Sequence, residues 1–159
     1  MAGTVSKRSR KLLAIFAMIG LSGLILLIWI FQRRNPQTVI AKVLSRYGIN
    51  AKTIKYWIAV SAFETKGWTS KVYKDSKNLF TIIGPGDEHL DYGEGQSIYS
   101  SISDSVVALY KRVMVPFKYP LSYESIDDLV DTMKSKGYFT GDANNYKTGV
   151  KYWYQKIYG

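Results

Sequence analysis

The sequence predicts a mainly α-helical domain with a small β flap, preceded by a single transmembrane helix. Three observations lead to this fold class. A run at positions 12–31 contains neither a charged residue nor a proline. Beyond it, apolar residues recur at helical spacing in segments that begin with capping residues. One glycine-rich, acidic segment at 84–95 interrupts these helices and has the composition of a loop between short strands.

The apolar run at 12–31 has the length of a membrane-spanning helix. At about 1.5 Å per residue it extends about 30 Å, which is the thickness of the hydrocarbon core of a bilayer. A secretory signal peptide has a shorter apolar core of about 7–15 residues and a cleavage site with small residues. This run ends instead in Trp-Ile-Phe-Gln-Arg-Arg. We therefore expect an uncleaved single-pass anchor in a lipid membrane.

Basic residues on both sides of the run predict its orientation. They are Lys7, Arg8, Arg10 and Lys11 in the N-terminal tail at 1–11, and Arg33 and Arg34 in the linker at 32–36. The larger cluster favours a cytoplasmic N-terminus and an exported domain at 37–159. That domain would face the cell wall from a bacterial inner membrane. The internal membrane of a phage particle fits the same arrangement.

The positive charge of the chain lies largely beside the predicted anchor. The six flanking residues account for +6 of the formal net charge of +10, which leaves +4 for the domain. A mild excess of positive charge attracts a domain to an anionic surface such as a bacterial envelope. It does not predict a nucleic-acid partner, because acidic residues are spread across the same domain.

The absence of cysteine and the single histidine exclude several kinds of site. Without cysteine the chain has no disulfide, no zinc–thiolate site and no cysteine nucleophile. His89 is the only histidine, which argues against histidine metal clusters and Ser-His-Asp triads. His89 also lies in the acidic loop, where an exposed histidine without a catalytic role is the default. We expect no metal and no organic cofactor.

Capping residues and glycines predict the bounds of the helices. Asn35-Pro36 begins the first helix and Gly48 ends it. Asn50 can cap the second helix at 51–64. The other predicted elements are a helical turn at 70–73, strands at 80–83 and 96–99, and helices at 103–115 (capped by Ser103), 125–136 and 144–158.

Glu64 is a carboxylate in an apolar setting. It ends the predicted helix at 51–64, between Phe63 and the Gly67-Trp68 turn. Aromatic surface around a carboxylate disfavours the charged form and raises its pKa. A raised carboxyl pKa is what a general acid needs to protonate a glycosidic oxygen near neutral pH. The alternative is a helix-terminal glutamate that pairs with a lysine such as Lys66.

Several short motifs accompany Glu64 in a fixed order. They read S-x-x-E at 61–64, G-W-T-S at 67–70, N-L-F at 78–80, I-Y-S-S-x-x-D-S-V at 98–106, K-G-Y-F-T at 136–140 and N-N-Y at 144–146. This order resembles the glucosaminidase domain of glycoside hydrolase family 73, which includes flagellar peptidoglycan hydrolases, autolysins and phage lysins. The resemblance covers about 39–158. It implies a lysozyme-like domain with a cleft between a helical lobe and a short β-lobe, which cuts peptidoglycan glycan after N-acetylglucosamine.

The resemblance also implies roles for single residues. Glu64 matches the catalytic acid, Tyr138 of the G-Y motif is expected at the active site, and Tyr146 follows as in the family's usual pattern. Two departures stand beside these matches. Thr81 replaces the glycine that usually follows N-L-F, and a branched residue there can reshape the cleft floor. The turn from Glu64 to Gly67 is one residue longer than the usual E-S-G.

The second catalytic group is sought in the flap. A retaining glycosidase with a protein nucleophile holds its two carboxyl groups about 5 Å apart, and an inverting enzyme holds them about 6.5–9.5 Å apart. We favour Glu88 and then Glu94, because a mobile β-lobe can bring either over the sugar. Asp87 and Asp91 are further candidates, and Asp75 is a weaker one. These acids can equally be solvated only, and the acetamido group of the substrate can act as an internal nucleophile instead.

The candidates for binding substrate are Trp68, Asn78, Phe80, Glu94 and Tyr146. Trp68 can stack on a sugar ring, and Asn78 can hydrogen-bond to substrate. The alternatives are aromatic packing for Trp68 and a turn-fixing role for Asn78. Together these features predict a membrane-anchored endo-β-N-acetylglucosaminidase that acts on peptidoglycan strands. A wall-binding or structural protein, such as a virion component, and a lytic transglycosylase are the alternatives. The sequence leaves the oligomeric state open.

Overall fold

The structure, a computed structural model, describes residues 35–83, 91–92 and 96–159. The predicted tail and anchor lie outside the described residues, as do Glu88, His89 and Glu94. Within the described part, no helix has both the length and the apolar character to cross a membrane. Residues Pro36–Gly159 form one unit of the chain. Its architecture is mainly helical, as the sequence predicts.

The described helices follow the predicted order closely. They are α1 (Pro36–Arg46), α2 (Ala51–Glu64), α3 (Lys71–Ser76), α4 (Ile102–Ala108), α5 (Ile126–Ser135) and α6 (Ala143–Tyr158), and α4 continues into a π-helical segment, Leu109–Met114. Asn50 caps α2 as predicted, because its Oδ1 accepts a hydrogen bond from the amide of Thr53 at 2.7 Å. Ser125 caps α5 in the same way. These caps satisfy backbone amides that have no partner within the helix.

The predicted helix at 103–115 needs two corrections. Its cap is Ser101, not Ser103: the Ser101 hydroxyl oxygen accepts from the Asp104 amide at 3.2 Å and donates to the Asp104 carboxylate at 2.6 Å. This reciprocal pairing places the cap two residues earlier than predicted, and the helix begins at Ile102. The α-helical geometry then ends at Ala108, and the π-helical segment carries the chain to Met114.

The flap contains less regular strand than predicted. Strand β1 (Asp91–Tyr92) pairs antiparallel with β2 (Gln96–Ser97). The predicted strand at 80–83 is wrong, since only Ile83 forms a single bridge, to Gln96. The reason is the side chain of Asn78, which bonds the backbone of this segment and holds it as a turn.

Helix α2 forms the centre of the core and contacts both α1 and α6. All of its residues from Tyr56 to Ala62 are buried, as expected for a helix that is apolar on every side. The indole of Trp57 meets the ring of Phe80 edge-on, with 6.1 Å between centroids. Glu64 is the last residue of this buried helix, so its carboxyl group lies where the helix leaves the core.

Two glycines let α6 approach the end of α2. A Cβ atom at Gly149 would lie 2.2 Å from Cε2 of Phe63, and one at Gly67 would lie 2.3 Å from the Trp153 ring. Atoms that are not bonded to each other do not approach this closely, so any side chain at either position would force the helix or the ring to shift. The absence of a side chain at these glycines therefore allows α6 to pack close to Phe63 and to the turn after Glu64.

Candidate active site

A cleft of about 550 Å³ opens at the C-terminal end of α2. Its walls come from the segment at 80–83, from the π-helical segment and the loop after it, and from the segment at 136–139 that follows α5. Glu64 lies in this cleft and is the only carboxylate among its described lining residues. The size suits a small stretch of a polymeric ligand or a molecule of similar volume.

Both carboxylate oxygens of Glu64 accept hydrogen bonds from hydroxyl groups. Tyr146, in α6, donates to Oε1, and Thr81 donates to Oε2 at 2.5 Å. Burial raises the pKa of Glu64, and the hydrogen bonds from Thr81 and Tyr146 offset only part of this effect. The net pKa lies above the ordinary value of a glutamate, in the direction that the sequence predicts. The alternative pairing is not found, because Lys66 is exposed and forms no ion pair with Glu64.

The turn after Glu64 has an unusual backbone. Three consecutive residues, Lys66, Gly67 and Trp68, have positive φ angles of 52°, 69° and 62°. Thr65, which is buried, holds the turn: its hydroxyl donates to the carbonyl of Ser61 at 2.7 Å and accepts from the amide of Trp68 at 3.0 Å. These bonds fix the direction in which α2 ends and therefore the position of Glu64.

Trp68 is part of this turn and not of the cleft lining. Its indole nitrogen donates to the hydroxyl of Ser61 at 3.0 Å, and its ring packs against the core. The cleft is lined by other residues. The structure thus favours aromatic packing, the alternative to sugar stacking, for Trp68.

Tyr146 is held between two aromatic rings. Phe139 stacks on it at 4.1 Å with an interplanar angle of 7°, and Phe63 meets it edge-on at 4.7 Å. Burial and the neighbouring Glu64 carboxylate raise the pKa of Tyr146 well above its ordinary value, so its hydroxyl stays a neutral donor. The sequence predicts a substrate contact for Tyr146. The structure shows a direct contact with the carboxyl group of Glu64.

Tyr138 lines the cleft without bonding to Glu64. Its hydroxyl donates to the carbonyl of Phe80 at 2.6 Å, and its ring meets the edge of Trp57. Burial raises the pKa of Tyr138 well above its ordinary value, with a contribution from the charge of Glu64. Tyr138 therefore fixes the cleft floor next to the carboxyl group that the sequence predicts to be catalytic.

Asn78 and Phe80 support the floor from inside. The Asn78 side-chain amide donates to the carbonyls of Ile82 and Ser97 at 2.9 and 3.2 Å, and its Oδ1 accepts from the amide of Ile82 at 3.1 Å. Asn78 is fully buried, which favours the turn-fixing alternative, while a contact with substrate stays a prediction. The ring of Phe80 is fully buried as well and supports the cleft from below.

Sequence reasoning missed several residues of the cleft. Thr81 stood out only as a departure from a motif, and no local pattern links it to Glu64. Arg112, from the π-helical segment, reaches the carbonyl of Ile83 at 3.3 Å. Ile83 and Phe117 form an apolar rim and are 70% and 50% exposed. The sequence does not single out Phe117, because Tyr119 lies between the same two prolines, Pro116 and Pro120, and is buried.

Glu88 and Glu94, the predicted second carboxylates, lie outside the described residues. In the ranges that the structure describes, no group of three or more histidine, cysteine, aspartate or glutamate side chains is placed to hold a metal ion. The described chemistry of the cleft is thus a single carboxyl group with hydroxyl donors, two cationic side chains (Arg112 and Lys136) and an apolar rim.

Comparisons of the chain with protein-family models, with curated proteins and with solved structures gave no match. The function of the cleft is therefore inferred from its own residues.

Proposed function

We propose that the domain is a lysozyme-like enzyme that cleaves the glycan strands of peptidoglycan, with Glu64 as its general acid. One observation carries the proposal above all. Glu64 is a partly buried carboxyl group with a raised pKa, lies in an open cleft and is held at both oxygens. Strongly perturbed titratable groups in clefts are candidates for catalysis on physical grounds.

The chemistry follows from the state of that carboxyl group. A raised pKa keeps a larger fraction of Glu64 protonated near neutral pH. When the bond between C1 and the glycosidic oxygen breaks, the proton of Glu64 moves to the leaving oxygen and Glu64 becomes a carboxylate. The hydroxyls of Tyr146 and Thr81 then stabilise that carboxylate as donors. Water adds to C1, either directly or after an intermediate. The proton that this water loses goes to the Glu64 carboxylate in a retaining reaction, or to the second carboxylate in an inverting one.

The finer assignment, an endo-β-N-acetylglucosaminidase on the wall side of a membrane, rests on the motif order around Glu64 and on the apolar run at 12–31. Glu88 or Glu94 would supply the second carboxylate in a hydrolase of this kind. We propose no metal or organic cofactor for the reaction.

A lytic transglycosylase is the second candidate, and one observation favours it. Glu64 is the sole carboxylate in the part of the cleft lining that the structure describes. A transglycosylase needs the acid but no hydrolytic water, because a hydroxyl group of the substrate itself closes onto C1 and gives its proton to the Glu64 carboxylate. A single well-positioned carboxyl group is sufficient for that reaction.

The test is digestion of purified peptidoglycan by the full chain in detergent, beside its Glu64→Gln variant, with mass spectrometry of the released sugars. Reducing N-acetylglucosamine ends formed only by the wild type would support the glucosaminidase. Anhydro-muramyl ends would support the transglycosylase. A folded protein that binds the sacculus and releases no more than the variant would contradict catalysis and leave a wall-binding or structural protein.

A further inference from the structure

Thr81 has a backbone conformation that its residue type disfavours. Its φ angle is +47°, in the left-handed region where a branched Cβ collides with the backbone. The other non-glycine residues with positive φ in the described ranges are Lys66, Trp68, Lys77 and Lys118. None of those four is branched at Cβ, so Thr81 is the most strained of the set.

The surroundings of Thr81 hold it in this conformation from both sides. On one side, Tyr138 donates to the carbonyl of Phe80. On the other, Asn78 bonds both the amide and the carbonyl of Ile82. A strained residue persists only where its neighbours determine the backbone in this way, and such residues cluster at functional sites.

The strained backbone points the Thr81 side chain at the carboxyl group of Glu64. The distance from Oγ1 to Oε2 is 2.5 Å, and Thr81 lines the cleft together with Glu64. Glycine would remove the backbone strain at this position but would also remove the hydroxyl. The hydrogen bond from its hydroxyl to Glu64 is therefore what a threonine provides here and a glycine does not.

We propose that Thr81 is a positioning residue, whose hydroxyl holds Oε2 of Glu64 so that the carboxyl group presents one fixed orientation to the cleft. The inference rests on the proposed role of Glu64 as general acid. Tyr146 holds the other oxygen, Oε1, so the two donors together prevent rotation of the carboxyl group. Orientation of this kind matters because small misplacements of a catalytic group lower the rate strongly.

The charged and titratable groups around Glu64 set what the loss of Thr81 does to its titration. They are Tyr146 from α6, Tyr138 from the segment after α5, Tyr119 and Arg112 from the opposite wall, and Lys136 at the rim. None of these is removed when Thr81 changes. Loss of the hydroxyl therefore removes one donor to the charged form, and the pKa of Glu64 rises further.

Three variants of the full chain separate the hydroxyl from the backbone strain. Thr81→Ser keeps the hydroxyl and removes the branch. Thr81→Val keeps the branch and the shape but has no hydroxyl. Thr81→Gly has no hydroxyl and relieves the backbone, so it remains informative if the valine variant fails to fold.

We expect Thr81→Val and Thr81→Gly to lower kcat on peptidoglycan by about ten- to a hundredfold, with a smaller effect on KM. Thr81→Ser should stay within about threefold of the wild type, since the donor is retained. Carboxyl NMR of 13C-labelled glutamate should show a higher pKa for Glu64 in the valine and glycine variants than in the serine variant. The glycine variant should melt no lower than the wild type, because its backbone is unstrained.

The outcomes separate this inference from the proposed function. Suppose that the wild type cleaves peptidoglycan, and that Thr81→Val and Thr81→Gly keep both its kcat and its pKa for Glu64. This result would overturn the role of Thr81 and leave the proposed function intact. A wild type that releases no sugar would overturn the proposed function, and with it the catalytic meaning of the contact, whatever the titration shows. Loss of activity in Thr81→Ser equal to that in Thr81→Val would also overturn the inference, because the hydroxyl would then not be the active feature.

Discussion

Glu64 is subject to two opposing effects at the residue scale. Burial disfavours its charged form, and the hydroxyls of Thr81 and Tyr146 favour it. Burial is the larger effect, so the carboxyl group holds its proton to a higher pH than an exposed glutamate does. A general acid acts in its protonated form. The activity should therefore be lost as the pH rises through the folded-state pKa of Glu64, and this descending limb should lie above that of an ordinary carboxyl group.

Glu64→Gln should lower activity by about 10²- to 10⁴-fold, which is the usual contribution of a general acid. The same variant should be more stable than the wild type at neutral pH. A carboxyl group whose pKa is raised on folding contributes its full stabilisation below its unfolded pKa. This contribution is lost as the pH rises through the folded pKa. Glutamine has no charge to bury, so the gain in free energy of unfolding should be larger at about pH 8 than at about pH 4. Urea unfolding at both pH values measures this, and an equal gain at both would contradict the assigned pKa direction.

Tyr146 and Tyr138 offer a matched pair of tyrosines in one site. Tyr146→Phe removes the donor to Oε1 of Glu64 but keeps the ring between Phe139 and Phe63. We expect kcat to fall by about tenfold or more and the pKa of Glu64 to rise, with a stability loss of about 1 kcal/mol. Tyr138→Phe removes a bond to the Phe80 carbonyl and none to Glu64. It should cost similar stability and leave the titration of Glu64 nearly unchanged. NMR titration and steady-state kinetics of both variants decide this, and equal shifts of the pKa would contradict it.

At the scale of secondary structure, the sequence predicts what local signals determine. Helix α2 runs over the predicted residues because Asn50 caps it and its apolar residues continue to the end. The Ser101 cap was missed because Ser103 has the same local preference, and only the Asp104 partner decides between them. The strand at 80–83 was predicted from its apolar residues, whereas the buried amide of Asn78 imposes a turn.

The site could be predicted only in part, because local signals determine the position of Glu64 but not its contacts with distant residues. Glu64 was found because its helix, its aromatic neighbour and its turn are contiguous in sequence. Its contact with Tyr146 joins residues separated by 82 positions, and that with Thr81 spans 17. The first contact depends on how α6 packs on α2, and the second on how Asn78 and Tyr138 hold the segment at 80–83. No local pattern contains either arrangement. The hydrogen bond between Tyr146 and Glu64 was therefore not predicted, and a contact of Tyr146 with substrate stays a prediction.

The packing of α6 on α2 is tested by Gly149→Ala. Alanine favours a helix over glycine by about 1 kcal/mol, so propensity alone predicts stabilisation. The new Cβ would lie 2.2 Å from Phe63, however, whose ring is packed against Tyr146. Overpacking of this kind costs about 1–3 kcal/mol, so we expect net destabilisation in thermal or urea unfolding, together with reduced activity as Tyr146 shifts from Glu64.

Thr148→Ala is the control for that experiment, because Thr148 is the exposed neighbour of Gly149 in α6. It changes helix propensity in the same direction without entering the contact with Phe63. It should leave activity unchanged and stability unchanged or slightly higher. A stabilised Gly149→Ala variant with full activity would show that α6 and α2 do not pack as closely as described.

At the scale of the whole molecule, the cleft separates two functions between its parts. In the proposed enzyme, Glu64 at the end of α2 would act as the acid, while exposed apolar residues of the outer wall would provide contact area for the substrate. Phe117 lines the cleft and is 50% exposed, and Val115 is 53% exposed but does not line it. Exposed apolar side chains at the mouth of a cleft are suited to packing against the flat faces of sugar rings. A rim of this kind binds ground state and transition state alike, and so it acts on KM more than on kcat.

Phe117→Ser should therefore raise KM for peptidoglycan fragments by about fivefold, equivalent to about 1 kcal/mol, with kcat nearly unchanged. Its stability should change by less than about 0.5 kcal/mol, since the side chain is already half exposed. Val115→Ser removes a similar exposed apolar group outside the cleft and should alter neither constant. Steady-state kinetics on soluble glycan fragments, with thermal melts of both variants, provide the comparison. If both variants raise KM equally, general loss of surface hydrophobicity explains the effect, whereas a fall in kcat for Phe117→Ser alone would place this ring among the groups that orient the reacting sugar.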